Sequence, residues 1–367
     1  MIALHVLQAD HGDCLLLEYG CERQPRYVLI DGGPSARIYD AYLKPALLKI
    51  REQGGKLDLV VLSHVDNDHV IGLLNYFTEL RLTPDSDEQA LPLPVGLWHN
   101  SFNQTVGQGE NLEGQIAGLL ARARAAGQTM QLAAVTIEGI SQGHQLRLGA
   151  LAAGIPINEG IPEGLVLLDT LPEPVQLGPL SVRVVGPGRS SLERLKKKWL
   201  EWLEENEARL RQGLPLAQVD QSIPNLSSIM FLAEAEGKRI LLTGDGLGED
   251  LLEGLEQAGL LDEQGHLHVD VLKIPHHGSA RNVTRKFFKR LTADRYVISA
   301  NGLHGNPDLA TLIWIVDAAR ERGQQVEIVL TNETVTSSQL VQEYDPEEFG
   351  YTLTILAPEE RSLRVAL

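Results

Sequence analysis

Residues 57–69 read LDLVVLSHVDNDH, an apolar run that ends on two histidines and two aspartates, His64, Asp66, Asp68 and His69. The run 57–62 has the pattern of a buried strand. The residues after it, HVIGLLNYFTEL, repeat apolar side chains at three- and four-residue steps, as a helix does. A strand end is a rigid mount, and converging imidazole nitrogens and carboxylate oxygens are what a divalent ion of borderline softness takes as ligands. Asp66 or Asp68 would also serve as a helix cap, but a cap requires one such residue and four stand here. The segment is therefore read as half of a metal site that other parts of the chain must complete.

The chain has room to complete it. Its 367 residues suffice for one large domain or two ordinary ones. With 43% hydrophobic and 22% charged residues it has the composition of a globular protein with a sizeable core. A formal net charge of -17 excludes a global electrostatic grip on nucleic acid, so any such binding needs a local basic patch. The two cysteines, Cys14 and Cys21, are too few for a disulfide framework and read as packed thiols. The N-terminus lacks a basic start and Asp10 interrupts it, so no signal peptide is expected. No apolar run reaches the ~20 residues of a membrane span, and the expectation is a soluble, cytoplasmic protein.

Strand patterns at 2–8, 14–19, 27–30, 57–62, 95–100, 175–177, 180–185, 229–233, 239–243, 269–274, 295–299, 326–330, 350–356 and 361–366 are interspersed with helical ones. The helices are expected at 38–53, after His69, and at 112–126, 143–153, 190–212, 247–259, 283–291 and 308–322. Such alternation predicts an α/β fold. The clearest amphipathic helix is 190–212, with Leu192, Leu195, Trp199, Trp202 and Leu203 on one side and Ser190 or Ser191 as its cap. Residues 81–94, 213–226 and the stretch between 330 and 350 read as loops.

An internal echo links the halves. YVLIDGG (27–33) followed by LDLVVLSH (57–64) is matched by RILLTGD (239–245) followed by VDVLKIPHH (269–277). Each half delivers an aspartate, Asp31 or Asp245, and then a histidine at strand ends, where an α/β fold places its sites. Neither half supplies a full ligand set, so the expectation is one composite domain over 1–367, with its core at 1–80 and 220–367 and an insertion-rich span at 81–219.

IDGG, SHVDNDH, LLTGD and PHHGS, in that order, resemble the motifs of the metallo-β-lactamase-fold hydrolases. More narrowly they are similar to the hydrolase domain of the DNA-uptake competence proteins of ComEC type, as are Gly12-Asp13 and Asn225-Leu226-Ser227-Ser228. The resemblance implies a four-layer αββα sandwich, here with helical insertions, and a site for two divalent ions, zinc or manganese. By motif, one ion takes Asp68, His69 and a histidine of PHHGS, with Asp245 bridging to a second ion held by His64 and Asp66. Asp31 orients a ligand or a bound water. His276 is preferred over His277 as the PHHGS ligand, because the echo aligns His276 with His64. The wider family has histidine where this chain has Asp66, and a further histidine near 186–189 where this chain has none. His99 and His144 are candidates to replace it. A second site so composed is richer in oxygen than nitrogen, which favours weaker zinc binding or manganese.

In the implied chemistry Asp68 and Asp245 are catalytic through the ions, and a metal-bound hydroxide attacks. Three features point to phosphodiesters, with DNA or another nucleic acid as the partner. Ser279 can offer a phosphate its hydroxyl and Gly278 its N–H, Arg281 and Arg285 begin a basic cluster, and His304 is placed to protonate a leaving group. The alternatives are hydrolysis of a small ester, thioester or lactam, and a regulatory binding protein with a degenerate site. A protein partner is compatible with either.

Overall fold

The apolar runs pair into two sheets. The computed structural model describes residues 1–82, 91–106, 111–127, 133–217 and 222–367, with the backbone alone for 133–138. In chain order the strands are β1 (Ile2–Leu7), β2 (Leu15–Cys21), β3 (Gln24–Ile30), β4 (Lys56–Val61), β5 (Leu97–Trp98), β6 (Val175–Leu177) and β7 (Leu180–Gly186). They continue with β8 (Met230–Ala235), β9 (Lys238–Leu242), β10 (Leu267–Lys273), β11 (Leu291–Ile298), β12 (Val326–Leu330), β13 (Tyr351–Ile355) and β14 (Ser362–Ala366). The first sheet has the order β14-β1-β2-β3-β4-β5, and the second β13-β12-β11-β10-β9-β8-β7-β6. The pairs along β14-β1-β2-β3 and β6-β7-β8-β9 are antiparallel, and those along β3-β4-β5 and from β9 to β13 are parallel.

Alternation along the strands sorts side chains into three layers of core. Leu4, Val6 and Leu17 of the first sheet meet Val184, Phe231, Ile240 and Val271 of the second between the sheets. Leu16, Leu29 and Val60 turn outward and pack with Leu47, Leu73 and Phe77 from helices on that side. Leu241, Leu272 and Ile298 do the same on the far side, against Leu251, Phe287 and Leu312. The result is a helix–sheet–sheet–helix arrangement in the expected α/β class. At about 1.5–3 kcal/mol for each fully buried aliphatic side chain, these layers hold the strand ends in place.

Three expectations on the helices are corrected. The stretch between 330 and 350, read as an exposed loop, contains the helices Val335–Glu343 and Pro346–Phe349. Thr334 caps the first reciprocally with Ser337, a capping box with serine in place of the usual Glu or Gln. The amphipathic helix runs Arg189–Arg211 from Gly188, without a side-chain cap from Ser190 or Ser191. The helix expected at 143–153 is longer, Ala133–Ala152. Part of the 81–94 loop lies outside the described residues. The span expected to be rich in insertions also contributes β5 to the first sheet and β6 and β7 to the second.

The helix Asn67–Leu82 sits against the turn after β3 with no room to spare. A Cβ on Gly72 would lie 1.8 Å from the Gly32 carbonyl oxygen, so this pair of glycines sets how near the His69 end of the helix comes to Asp31. Among the described residues, no helix is long and apolar enough to cross a membrane.

Candidate metal centre

Adjacent strand ends deliver the polar groups. The chain leaving β3 gives Asp31, that leaving β4 gives 63–69, that leaving β9 gives Asp245, and that leaving β10 gives the turn Pro275–Gly278. Asp245 lies at the middle. Its Oδ2 is 3.4 Å from His69 Nε2, 3.5 Å from His277 Nε2, 3.7 Å from His276 Nε2 and 3.8 Å from His64 Nε2. Asp68 Oδ2 closes one side, 3.2 Å from His277 Nε2 and 3.6 Å from His69 Nε2. Asp66 Oδ2 lies on the other, 3.5 Å from His64 Nε2.

Outer partners decide which ring nitrogen faces inward. His69 Nδ1 donates to Asp31 Oδ2 at 2.9 Å, and His277 Nδ1 donates to the Ser299 carbonyl at 2.8 Å. Each neutral ring then turns a bare Nε2 to the centre. Asp31 is fully buried and also accepts from the Ser63 N–H at 2.8 Å and the Ser63 hydroxyl at 2.7 Å. Its expected orienting contact to a histidine is therefore present as geometry. His64 Nδ1 lies 3.1 Å from the same hydroxyl.

These contacts fit a metal. The Nε2 atoms of His64, His69 and His277 and Oδ1 of Asp245 are buried without a hydrogen-bond partner, an arrangement that costs about 1–3 kcal/mol per group. One donor atom from each of Asp68, His69, Asp245 and His277 lies within 4.8 Å of the others. Without an ion, burial opposes charging His69, yet Asp245, Asp68 and Asp31 outweigh it and push the imidazole well up. His277 is pushed up to about 10, with burial opposing and Asp245 and Asp13 prevailing. Asp245 and Asp68 move down for the converse reason, the histidines overcoming burial.

The expectation named His276, ahead of His277, for the position beside Asp68 and His69. The ring that joins Asp68 and His69 is His277, while His276 meets that group at Asp245 Oδ2, 3.7 Å away. Both residues have left-handed backbones, φ 49° and 54°, so the tight turn shifts side-chain facing by one position from the strand-based echo.

Three residues of the site were not singled out as site residues from sequence. Asp13 and Lys273 are buried and form an ion pair at 2.5 Å, with the second Asp13 oxygen 3.6 Å from His277 Nδ1. A lysine closing the apolar strand VDVLK is a signal for them, because a buried ammonium needs a counter-charge. His11 is the other omission. It lines the cleft opposite His304, their rings 6.4 Å apart.

The cleft over the site has a volume of about 480 Å³, and Ser279, Arg281 and His304 line it as expected. Arg285 does not. Its guanidinium pairs with Asp317 and Glu321 on the neighbouring helix, and Lys289 pairs with Glu321 as well. The basic cluster is thus largely neutralised within the fold, and Arg281 carries no ion pair among the described residues.

Neither gap histidine reaches the centre. His144 is exposed and lines a separate pocket with Arg147. His99 is buried with both ring nitrogens unpartnered, and burial, then Arg147, lowers it to about 4. Its folded value lies below the ordinary 6.5, so the stability it supports is intact above about pH 6.5 and is lost as pH falls toward about 4. Urea unfolding at pH 7 and pH 5 is expected to show a larger loss in wild type than in His99→Leu. Equal losses would remove His99 from this account.

Residues 9–147 match the family model described as Metallo-beta-lactamase superfamily. No curated protein matches the chain. Among solved structures the chain is similar to Zn(2+)-bound PqqB from Methylobacterium extorquens, at 14% identity and a TM-score of 0.38, over 99% of this chain and 100% of that one. The two sheets, their helical flanks and the match over 9–147 together identify a fold of the metallo-β-lactamase type.

Proposed function

We propose that the chain is a two-metal hydrolase of phosphodiesters, with zinc or manganese as the ions and DNA, RNA or a smaller phosphodiester as substrate. The observation that carries this reading is the set of unpartnered imidazole and carboxylate atoms around Asp245, opening into a cleft where Arg281 carries no ion pair among the described residues. Two bound divalent ions supply Lewis-acid polarisation of a phosphoryl oxygen and an activated water at neutral pH.

The protein groups have separable tasks. Asp245 and Asp68 hold negative charge at the centre of the site, and the buried carboxylate Asp31 keeps His69 turned inward. Arg281 and Ser279 are placed to take the non-reacting phosphate oxygens, a charge-assisted contact in a partly enclosed cleft. His304, with His11 facing it, stands where a leaving alkoxide would take a proton. The narrower resemblance to competence proteins supports the nucleic-acid reading.

One observation favours a smaller substrate instead. Ion pairing of Arg285, Lys289 and Arg290 neutralises most of the basic run along that helix. A short ester, thioester or lactam needs no such run.

A panel decides between them. Purified protein with Mn²⁺ or Zn²⁺ is expected to cleave bis(p-nitrophenyl) phosphate and single- or double-stranded DNA, and chelation should stop it. Arg281→Ala is expected to lower phosphodiester turnover about 10-fold or more, the cost of one charge-assisted contact. Activity confined to carboxylic esters, and indifferent to Arg281→Ala, would establish the second reading and end the first.

A further inference from the structure

We infer that His276 is the fourth protein donor of the second ion, beside His64, Asp66 and the shared Asp245, and that Asn282 fixes it in the ligating tautomer. This rests on the two-metal reading above.

Counting donors at the centre leads to His276. Asp68, His69 and His277 form a compact group with Asp245. A divalent ion in such a site takes about four ligands, so that group holds one ion. What remains around the same Asp245 oxygen is His64 at 3.8 Å, with Asp66 3.5 Å from it, and His276 at 3.7 Å. Without His276 the second position has only His64, Asp66 and the shared carboxylate. The adjacent rings of His276 and His277 stand edge to face, 5.9 Å apart with planes at 69°. Both direct Nε2 to one oxygen of Asp245, yet only His277 also reaches Asp68. The tight turn thus spreads a histidine pair over two positions.

Asn282 settles which nitrogen of His276 is available. Its Nδ2 donates to the carbonyl of Asp245 at 3.0 Å and lies 3.4 Å from that of Gly246. Carbonyls only accept, so the amide cannot be turned over, and Oδ1 must face His276. Oδ1 lies 2.7 Å from His276 Nδ1. It can only accept, so Nδ1 carries the hydrogen and Nε2 keeps a bare lone pair toward Asp245. His69 and His277 use an outer acceptor in the same way. Asn282 is therefore a positioning residue tied at once to the backbone of the bridging aspartate and to the ring beside it. Asn225, whose Nδ2 lies 3.3 Å from the same Nδ1, has an unpartnered Oδ1, and turning its amide over would bring a second acceptor to that N–H.

The test reads ions, not turnover. Metal-free protein titrated calorimetrically with Zn²⁺ and, separately, Mn²⁺, then analysed for metal per chain, is expected to show two steps and about two ions. His276→Ala is expected to keep the tighter step and hold about one ion. Asn282→Leu is expected to weaken only the looser step, by about 10–100-fold, with the tighter step unchanged as a check that the fold is intact. Two ions at wild-type affinity in His276→Ala overturn the inference and leave the two-metal reading standing. A wild type that takes up a single ion overturns both. Equal weakening of both steps in Asn282→Leu overturns the tautomer role.

Discussion

Asp245→Ala is expected to lower metal content from the proposed two ions per chain to below one and to abolish the proposed hydrolysis. The carboxylate Oδ2 lies within 3.8 Å of four imidazole Nε2 atoms, more than any other group in the site. Each proposed ion loses a donor at once, and the donors that remain are chiefly rings whose lone pairs repel when no cation separates them. The loss should exceed the about 10–100-fold typical of removing an outer partner of a ligand. Elemental analysis and turnover on the same preparation check it. A variant that retains two ions would show that the positions do not share this residue.

The second large effect concerns stability. Asp13→Leu is expected to destabilise the protein by about 3–5 kcal/mol, because it strands the buried Lys273 ammonium. Lys273→Met in the same chain should recover most of that loss, since two apolar side chains replace an ion pair whose desolvation consumed much of its attraction. Denaturant unfolding of the two single variants and the double variant gives the coupling directly. The double variant is also expected to bind the tighter ion less well, as Asp13 no longer stands 3.6 Å from His277 Nδ1. A double variant no more stable than Asp13→Leu would mean that the pair is not isolated energetically.

Much of this was legible in the sequence because the site is written in short motifs on strand ends. His64, Asp66, Asp68, His69 and Asp245 converge as the spacing requires, and β3–β4 and β9–β10 show the echoed arrangement. Facing within the PHHGS turn was not legible. Sequence registers strands by alternation, and two successive left-handed residues break that count. Arg285 was misplaced for another reason. A basic run adjacent to a site in sequence says nothing of the acids on the next helix, and Asp317 and Glu321 lie more than thirty positions away. The Val335–Glu343 helix escaped notice because its capping box uses serine at the position where glutamate or glutamine is the usual sign.

The site draws its donors from both sheets: Asp68 and His69 follow β4, while Asp245, His276 and His277 follow β9 and β10. Ser299 beyond β11 also reaches across, its hydroxyl donating to the Gly12 carbonyl at 2.6 Å. Anything bound there acts as a cross-link between two layers that otherwise meet through apolar side chains. Its mechanical effect follows from mass action. An ion present at about 1,000 times its dissociation constant adds about 4 kcal/mol to the docking of one sheet on the other. Chelation should therefore loosen the seam before either sheet melts. Hydrogen exchange is expected to rise first in residues 10–13 and 63–69, where the first sheet's loops lean on the second.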